Sequence, residues 1–160
     1  MLIPMSPDVL IVLGSKSDVE VGKKATSLLK DFGVDHKMVV ASAHRTPDHL
    51  RELIRNSDAK VFIAIAGLSA ALPGTIAAYT TKPTIGVPVS GKVNLDSILS
   101  ITQMPPGIPV AAVGLDRGGN AALLAVQILS LNNESLAEQL QEHRKKLAEW
   151  VMEDNKSLGE

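Results

Sequence analysis

The chain of 160 residues contains no cysteine and only four aromatic residues. The first absence excludes disulfides, thiolate zinc sites, cysteine nucleophiles and iron–sulfur clusters, and it is compatible with a reducing cytoplasm. The second leaves too few rings for the base-stacking platform of a protein that binds single-stranded nucleic acid. A charge excess is also missing, because 16 basic and 17 acidic residues give a formal net charge of −1. We therefore expect a cytoplasmic protein that binds neither nucleic acid nor membranes.

The sequence carries no pattern for export or membrane insertion. Residues 1–7 contain two prolines and no basic residue, which is not typical of a signal peptide. Residues 61–81 are uncharged and long enough to span a bilayer, but glycine and proline interrupt them near the centre. There we predict a buried strand, a loop of small residues and a helix that opens near Pro73, since proline suits a first helical turn.

Short apolar runs alternate with helical patterns along the chain. The runs predict strands at 9–13, 36–41, 61–66, 84–89 and 109–113. The later intervals predict helices at 47–56, 95–102 and 121–131, and a first helix follows residue 18 and stops at Gly33. Strands that alternate with helices form parallel sheets with right-handed crossovers. We predict an α/β fold: a three-layer α/β/α sandwich, flavodoxin- or Rossmann-like, with a central parallel sheet of about five strands.

A further helix is predicted at the C-terminal end, over about 134–155. Its apolar residues form one narrow stripe among charged neighbours: Leu136, Leu140, Leu147 and Val151. Such a helix can cover its own sheet or pack against another subunit, and both options stay open. The length, the absence of linkers and repeats, and a hydrophobic content of 45% predict one domain over residues 1–160. Its core is expected at about 8–132.

Three loops that follow predicted strands are rich in small polar residues. They read GSKSD at 14–18, SAHRTP at 42–47 and GLSAALPG at 67–74. Ligands of open α/β sheets collect at the carboxyl ends of the strands, and helix N-termini there suit a phosphate. The hydroxyls of Ser15, Ser17 and Ser42 and the guanidinium of Arg45 add donors. The pattern favours a phosphomonoester, because the phosphate loop of triphosphate enzymes and the glycine fingerprint of dinucleotide folds are both missing.

His44 is the candidate proton carrier. It lies between Ala43 and Arg45 in the second of these loops, and an imidazole titrates near neutral pH. The other three histidines, His36, His49 and His143, fall on predicted strand or helix positions without metal-ligand spacing. We interpret them as structural and expect no metal site.

The loop residues also fit purely structural roles. Gly14 suits a turn, and Ser15 or Ser17 suits a helix cap. Asp18 suits the first turn of a helix as a dipole partner, although its carboxylate can also accept from ribose hydroxyls. Arg45 stands close enough in sequence to Asp48 for a surface ion pair. At this point both sets of roles remain open.

At these residues the chain resembles the 5-(carboxyamino)imidazole ribonucleotide mutases, also called the catalytic subunit of phosphoribosylaminoimidazole carboxylase. The resemblance covers residues 9–131. Its motifs are GSKSD at 14–18, ASAHRTP at 41–47, AG and ALPG within 66–74, GVPV at 86–89, QMPPGIPVA at 103–111 and NAALLA at 120–125. It implies a role in de novo purine biosynthesis, where a carboxylate moves from the exocyclic nitrogen of an aminoimidazole ribonucleotide to ring carbon 4.

The resemblance also implies residue roles and partners. His44 would be the catalytic acid/base, and no metal, nucleotide cofactor or covalent nucleophile would be required. The substrate-binding residues would be Gly14, Ser15, Ser17, Asp18, Ser42, Ala43, Arg45, Gly67, Ser69, Ala70, Ala71 and Leu72. Released CO2 would be trapped beside the ring and recaptured by carbon 4. The family further implies a homo-octamer and a functional pairing with an ATP-dependent carboxyaminoimidazole ribonucleotide synthetase.

One position departs from the family pattern. The mutases usually carry His before the Leu-Pro-Gly of the third loop, whereas this chain has Ala71. Relatives that carboxylate aminoimidazole ribonucleotide directly with CO2 have a loop similar to AGRSNAL, and Leu68 stands where that loop has Arg. We place the mutase first and direct carboxylation second. A carboxylase-like enzyme for another aromatic mononucleotide shares the fold and His44 and stays open.

A non-enzymatic binding module is the competing interpretation from another class. A flavin-binding domain needs aromatic residues in these loops, and they contain none. A receiver domain needs an acidic cluster where the first strand ends, and Asp18 comes only after a serine-rich turn.

Overall fold

The computed structural model describes residues 7–159; residues 1–6, most of the N-terminal segment considered above, and residue 160 lie outside this range. A parallel five-stranded sheet with strand order β2-β1-β3-β4-β5 forms its centre. The strands are β1 (Val9–Leu13), β2 (His36–Val40), β3 (Val61–Ala66), β4 (Thr84–Pro88) and β5 (Ala111–Ala112). The helices are α1 (Val19–Asp31), α2 (Pro47–Arg55), α3 (Leu72–Tyr79), α4 (Leu95–Thr102), α5 (Gly118–Ser130) and α6 (Glu134–Ser157). The predicted α/β fold with a parallel sheet is confirmed, and its strand order is that of flavodoxin-like folds.

Two hydrophobic cores fill the space on the two faces of the sheet. Alternate residues of β1 point in opposite directions, so Ile11 packs with α1 and α5 while Leu10 and Val12 pack with α2, α3 and α4. All five residues of β1 and all six of β3 are buried, because helices cover both of their faces. Continuous apolar runs are the sequence pattern that such strands require.

The structure corrects three predicted boundaries. β5 has only two residues rather than the five predicted at 109–113, since Pro109 lacks an N–H and the strand pairs with β4 alone. α5 begins at Gly118, three residues before the predicted start, where the Arg117 carbonyl accepts from the N–H of Ala121. α6 runs on to Ser157, beyond the predicted end.

Residues 61–81 form β3, a loop and α3, with Pro73 in the first helical turn as predicted. Within the range 7–159, no helix combines the length and the apolar character needed to cross a bilayer.

The C-terminal helix α6 contacts its own chain only along its first half. Leu136 is buried in the core beneath α5, and the ring of His143 meets Phe32 edge-on with 5.6 Å between centroids. Every described residue after His143 is exposed, including Trp150 at 59%. The option that the helix covers its own domain is therefore confirmed for its first half, and its second half is unpartnered within the described chain.

The closest approach between two helices depends on Gly118. A Cβ at this position would lie far inside van der Waals contact with the carbonyl oxygen of Val21 in α1. Backbone atoms cannot rotate away as a flexible side chain can. The first turn of α5 can therefore pack this closely against α1 only because Gly118 has no side chain.

We expect Gly118→Ala to lower the free energy of unfolding by about 1–3 kcal/mol, because α1 and α5 must separate to admit the methyl group. The measurement is the free energy of unfolding in denaturant. Gly119→Ala is the matched control, since its Cβ would meet no atom closer than 4.0 Å, from Leu28. Equal effects of the two substitutions would show that the close approach is not the cause.

Candidate active site

Four loops at the carboxyl end of the sheet surround a cavity of about 590 Å3. They follow β1, β2, β3 and β4, and the point between β1 and β3 is where the chain reverses its direction of winding. All thirteen residues that the sequence assigned to a site line this cavity: Gly14, Ser15, Ser17, Asp18, Ser42, Ala43, His44, Arg45, Gly67, Ser69, Ala70, Ala71 and Leu72. The structure brings every one of them together, although they are spread along the chain from Gly14 to Leu72.

The first loop is fixed by a capping box around a short 3-10 helix at Lys16–Asp18. The Ser15 hydroxyl accepts from the Ser17 N–H at 3.4 Å, and the Asp18 carboxylate accepts from the Ser15 N–H at 3.0 Å. The Ser17 hydroxyl donates to the other carboxylate oxygen at 3.3 Å. The capping role left open for Ser15 is therefore confirmed, Asp18 completes the capping box, and both side chains border the cavity.

Asp18 is buried, with 6% of its surface exposed. Burial raises its pKa above the ordinary 3.8, while the hydrogen bonds from Ser15 and Ser17 and the positive charge of Arg45 lower it and offset only part of the effect. Ionised Asp18 is therefore held in the folded protein at a cost, which is typical of groups kept for binding or chemistry.

Arg45 joins the first two loops. Its guanidinium donates to the Gly14 carbonyl at 3.0 Å, and its Nε donates to the Ser42 hydroxyl at 3.3 Å. Asp48 pairs instead with Arg51 at 2.8 Å, so the surface pair between Arg45 and Asp48 considered from the sequence is wrong. The positive charge lies where the first two strand ends meet.

His44 borders the cavity with its ring exposed. In the described part of the chain its imidazole makes no hydrogen bond, so both ring nitrogens are available to a ligand. The other histidines lie elsewhere: Nδ1 of His36 is 2.8 Å from the Val34 carbonyl, His143 contacts Phe32, and His49 is exposed on α2. His44 is thus the one histidine of the described residues that borders this cavity.

The third loop contains two non-glycine residues in the left-handed region. Leu68 has φ of 52° and Ala70 has φ of 37°, and the loop closes with a bond from the Ala70 N–H to the Gly67 carbonyl at 3.0 Å. Such backbone costs energy and is retained where the surroundings require it. Leu68 is 76% exposed, and Ala71 places a methyl group in the wall. Apart from the Ser69 hydroxyl, the side chains of the third wall are therefore apolar.

Sequence reasoning missed the fourth wall, formed by the chain after β4. Val89, Ser90 and Gly91 line the cavity beside Gly67, where a Cβ would lie 3.4 Å from the Val89 carbonyl oxygen. The sequence contained an indication of this wall. Ser90 and Gly91 follow an apolar strand, as Gly14 and Ser15 follow β1. No titratable side chain drew attention to it.

A second, larger cleft of about 790 Å3 lies at the opposite end of β4, lined by residues 77–84 and 107–109. The Nζ of Lys82 already donates to the Ser57 carbonyl at 3.2 Å, and no histidine or acidic residue lines the cleft. We therefore assign the chemistry to the smaller cavity. Over residues 7–159, no group of three or more His, Cys, Asp or Glu side chains is arranged to hold a metal ion.

The family model of AIR carboxylase matches residues 8–150. The chain belongs to this family. It is 52% identical to the N5-carboxyaminoimidazole ribonucleotide mutase of Methanocaldococcus jannaschii over 95% of this chain and 98% of that protein. It is 47% identical to the enzyme of the same name from Bacillus subtilis over 96% and 99% of the two chains. The crystal structure of Treponema denticola PurE superposes with a TM-score of 0.86 at 34% identity, over 94% of this chain and 97% of that one.

The raised pKa of Asp18 predicts a pH-dependent effect of Asp18→Asn. The folded protein takes up this proton more readily than the unfolded chain, so the native protein loses stability as pH rises from about 3.8 through the raised value. Asparagine keeps an acceptor for the Ser15 N–H and removes the cost. We expect Asp18→Asn to melt at a higher temperature than the native chain at pH 7, and the difference to shrink as pH falls towards 4.

Thermal melts at several pH values measure this effect. Asp8→Asn is the control, because Asp8 forms an exposed pair with Lys60 at 2.8 Å at the other end of the sheet and should change little. A difference between Asp18→Asn and the native chain that stays constant from pH 4 to pH 7 would speak against the assignment.

Proposed function

We propose that this chain is an N5-carboxyaminoimidazole ribonucleotide mutase of de novo purine biosynthesis. The supporting observation is that the residues matching the family motifs surround one cavity at the carboxyl end of the sheet. The names of the relatives at 52% and 47% identity support the same reaction. The cavity volume of about 590 Å3 falls within the range of small-molecule sites, about 300–1,000 Å3.

The charges and donors of the first two loops suit a ribonucleotide 5′-phosphate. Arg45 supplies the cation, and the hydroxyls of Ser15 and Ser42 supply neutral donors. The second loop runs directly into α2, whose N-terminal N–H groups favour an anion. Asp18 would accept from the ribose hydroxyls, and an ionised carboxylate is the stronger acceptor. The imidazole ring would then lie towards Gly67 and the other small residues of the third loop.

In the proposed reaction the bond from the exocyclic nitrogen to the carboxylate carbon breaks, and CO2 leaves. Carbon 4 of the ring attacks the same CO2 and forms the new carbon–carbon bond. Carbon 4 must then lose its proton, and the exocyclic nitrogen must gain one. His44 would carry this single proton, because its two ring nitrogens make no hydrogen bond within the described chain and an imidazole can both accept and donate a proton. The balance requires no oxidant, hydride or nucleotide.

Most of the rate enhancement would come from holding CO2 beside carbon 4. A well-oriented pair reacts as one molecule, which can supply about 7–11 kcal/mol of the barrier. The apolar side chains of Leu68, Ala70 and Ala71 suit this task, since none of them carries a group that hydrogen-bonds to CO2 or reacts with it. Small side chains also leave room for the flat ring between the third and fourth loops.

The direct test compares two substrates. Carboxyaminoimidazole ribonucleotide at low bicarbonate should be converted to 4-carboxy-5-aminoimidazole ribonucleotide, whereas aminoimidazole ribonucleotide should react only at high bicarbonate. Ultraviolet absorbance or chromatography of the product measures both reactions. Conversion of the second substrate alone would contradict the mutase assignment, and a folded protein inactive with both would point to another mononucleotide.

Direct carboxylation of aminoimidazole ribonucleotide is the second candidate. The observation in its favour is Ala71, which leaves the third loop without the imidazole usual in the mutases. The cavity contains His44 as the only histidine among its lining residues, so one ring must serve every proton transfer. The bicarbonate dependence described above separates the two candidates.

His44→Asn should reduce kcat by about 10²–10⁴-fold with little change in ribonucleotide affinity, because only the proton transfer is removed. The measurements are steady-state kinetics and calorimetric titration with aminoimidazole ribonucleotide. Loss of binding together with turnover would instead give His44 a structural role.

Arg45→Ala is the contrasting variant. It should weaken ribonucleotide binding about tenfold or more, since a charged hydrogen-bonding partner of the phosphate is lost. Unchanged affinity would count against the phosphate position.

The assembly proposed for this chain is a cytoplasmic homo-octamer that works with an ATP-dependent carboxyaminoimidazole ribonucleotide synthetase. The unpartnered half of α6 and exposed apolar residues on and before α4 support subunit contacts: Val93, Leu95, Leu99, Trp150 and Val151. Light scattering that gave the mass of a monomer at micromolar concentration would contradict the octamer.

A further inference from the structure

The fourth wall of the cavity is attached to a residue that does not touch the cavity. The carboxylate of Asp116, in the turn between β5 and α5, accepts a hydrogen bond from the Ser90 N–H at 2.9 Å. The N–H of Asp116 donates to the Pro88 carbonyl, also at 2.9 Å. Asp116 thus bonds to both Pro88, at the end of β4, and Ser90, at the start of the segment that follows. Ser90 and Asp116 are 26 positions apart in sequence.

Asp116 adopts an unusual backbone conformation to make these contacts. Its φ is 58°, in the left-handed region, which costs a non-glycine residue energy although Asp tolerates it better than most. Burial acts to raise the pKa of Asp116, but the Ser90 hydrogen bonds and the charges of Lys24 and Arg117 hold it below its usual value. The carboxylate is therefore ionised, and a strong acceptor, throughout the neutral range.

Two other side chains complete the attachment of this segment. The Asn94 side chain accepts from the Gly91 N–H at 2.9 Å, and the buried Ser97 hydroxyl donates to the Val89 carbonyl at 3.3 Å. Both belong to the start of α4, the helix into which this segment leads. Asp116 is the one of the three that lies outside the segment and α4. The Val89 N–H also donates to the Ala66 carbonyl at 3.0 Å, so β3 fixes the start of the segment and Asp116 fixes Ser90.

We propose that Asp116 is a positioning residue, which holds Ser90 and Gly91 at the distance from Gly67 that the bound ribonucleotide requires. The proposal rests on the function proposed above. Without the carboxylate the segment samples positions away from the third loop, and the ligand must reorder it on binding. The apparent affinity for the ribonucleotide then falls in proportion to the fraction of molecules whose segment is correctly placed. The proton chemistry at His44 is unchanged.

Three variants separate the hydrogen bond from the backbone conformation. Asp116→Asn keeps an acceptor oxygen for the Ser90 N–H and tolerates the left-handed φ. Asp116→Gly tolerates this φ but has no acceptor, and Asp116→Ala has no acceptor and disfavours the φ. We expect Gly and Ala to raise the KM for carboxyaminoimidazole ribonucleotide about tenfold, the size of one net hydrogen bond, with kcat within about threefold. Asn should restore KM to within about twofold of the native chain. Asp8→Ala, which removes a distant carboxylate, is the control.

Amide hydrogen exchange of the ligand-free protein tests the structural step without any substrate. Exchange at Ser90 should accelerate about tenfold or more in Asp116→Gly and Asp116→Ala, while the strands of the sheet remain protected. An inactive native protein with this exchange pattern would overturn the proposed function and leave the attachment intact. Unchanged exchange, an Asn variant as impaired as Ala, or a loss confined to kcat would each overturn the role of Asp116.

Discussion

The site depends on the common direction of the five strands. In a parallel sheet every strand delivers its following loop to the same edge, so segments far apart in sequence converge. With β1 and β3 at the centre, the loops that begin at Gly14 and Gly67 lie side by side. The loop that carries His44 and Arg45 approaches from β2, and the one that carries Ser90 approaches from β4. Reversal of any one of these strands would take its functional residues to the opposite end of the molecule.

Close approach is the second requirement, and small residues meet it. Gly67 lets the third loop pack against Val89, and the guanidinium of Arg45 reaches the Gly14 carbonyl at 3.0 Å. The site also contains features that reduce stability, namely the buried carboxylate of Asp18 and the left-handed backbone at Leu68 and Ala70. The two covered faces of the sheet supply the stability that offsets these costs. Stability and function are thus located in different parts of the fold. Helices pack on both faces of the strands, whereas the loops contact the rest of the protein only where they join the sheet.

Much of this arrangement is predictable from the sequence, and the exceptions have physical reasons. Buried parallel strands require continuous apolar runs, so β1 and β3 were predictable to the residue. Edge strands pair on one side only, and the run before Ala111 therefore overstated β5. His44 and Arg45 stand out because titratable residues in a glycine- and serine-rich loop are informative by themselves.

The features that sequence patterns missed are those that depend on distant partners. Ser90 and Gly91 look like ordinary turn residues, and only the fold reveals that Asp116 holds them across 26 positions. Likewise, nothing local distinguishes Gly118 from Gly119, yet only the first meets the backbone of α1. The narrow apolar stripe of α6 left open what the helix packs against, and only the structure separates its covered first half from its exposed second half.

The central claim is that CO2 stays in the cavity between its release and its recapture. The most direct measurement uses carboxyaminoimidazole ribonucleotide with ¹³C in the carboxylate, incubated with excess unlabelled bicarbonate and carbonic anhydrase. The account predicts that product formed in the first turnovers retains ¹³C at the carboxylate on carbon 4, well above the level set by the bicarbonate pool. Product labelled only at the level of the pool would show that CO2 escapes to solution, and it would contradict the account.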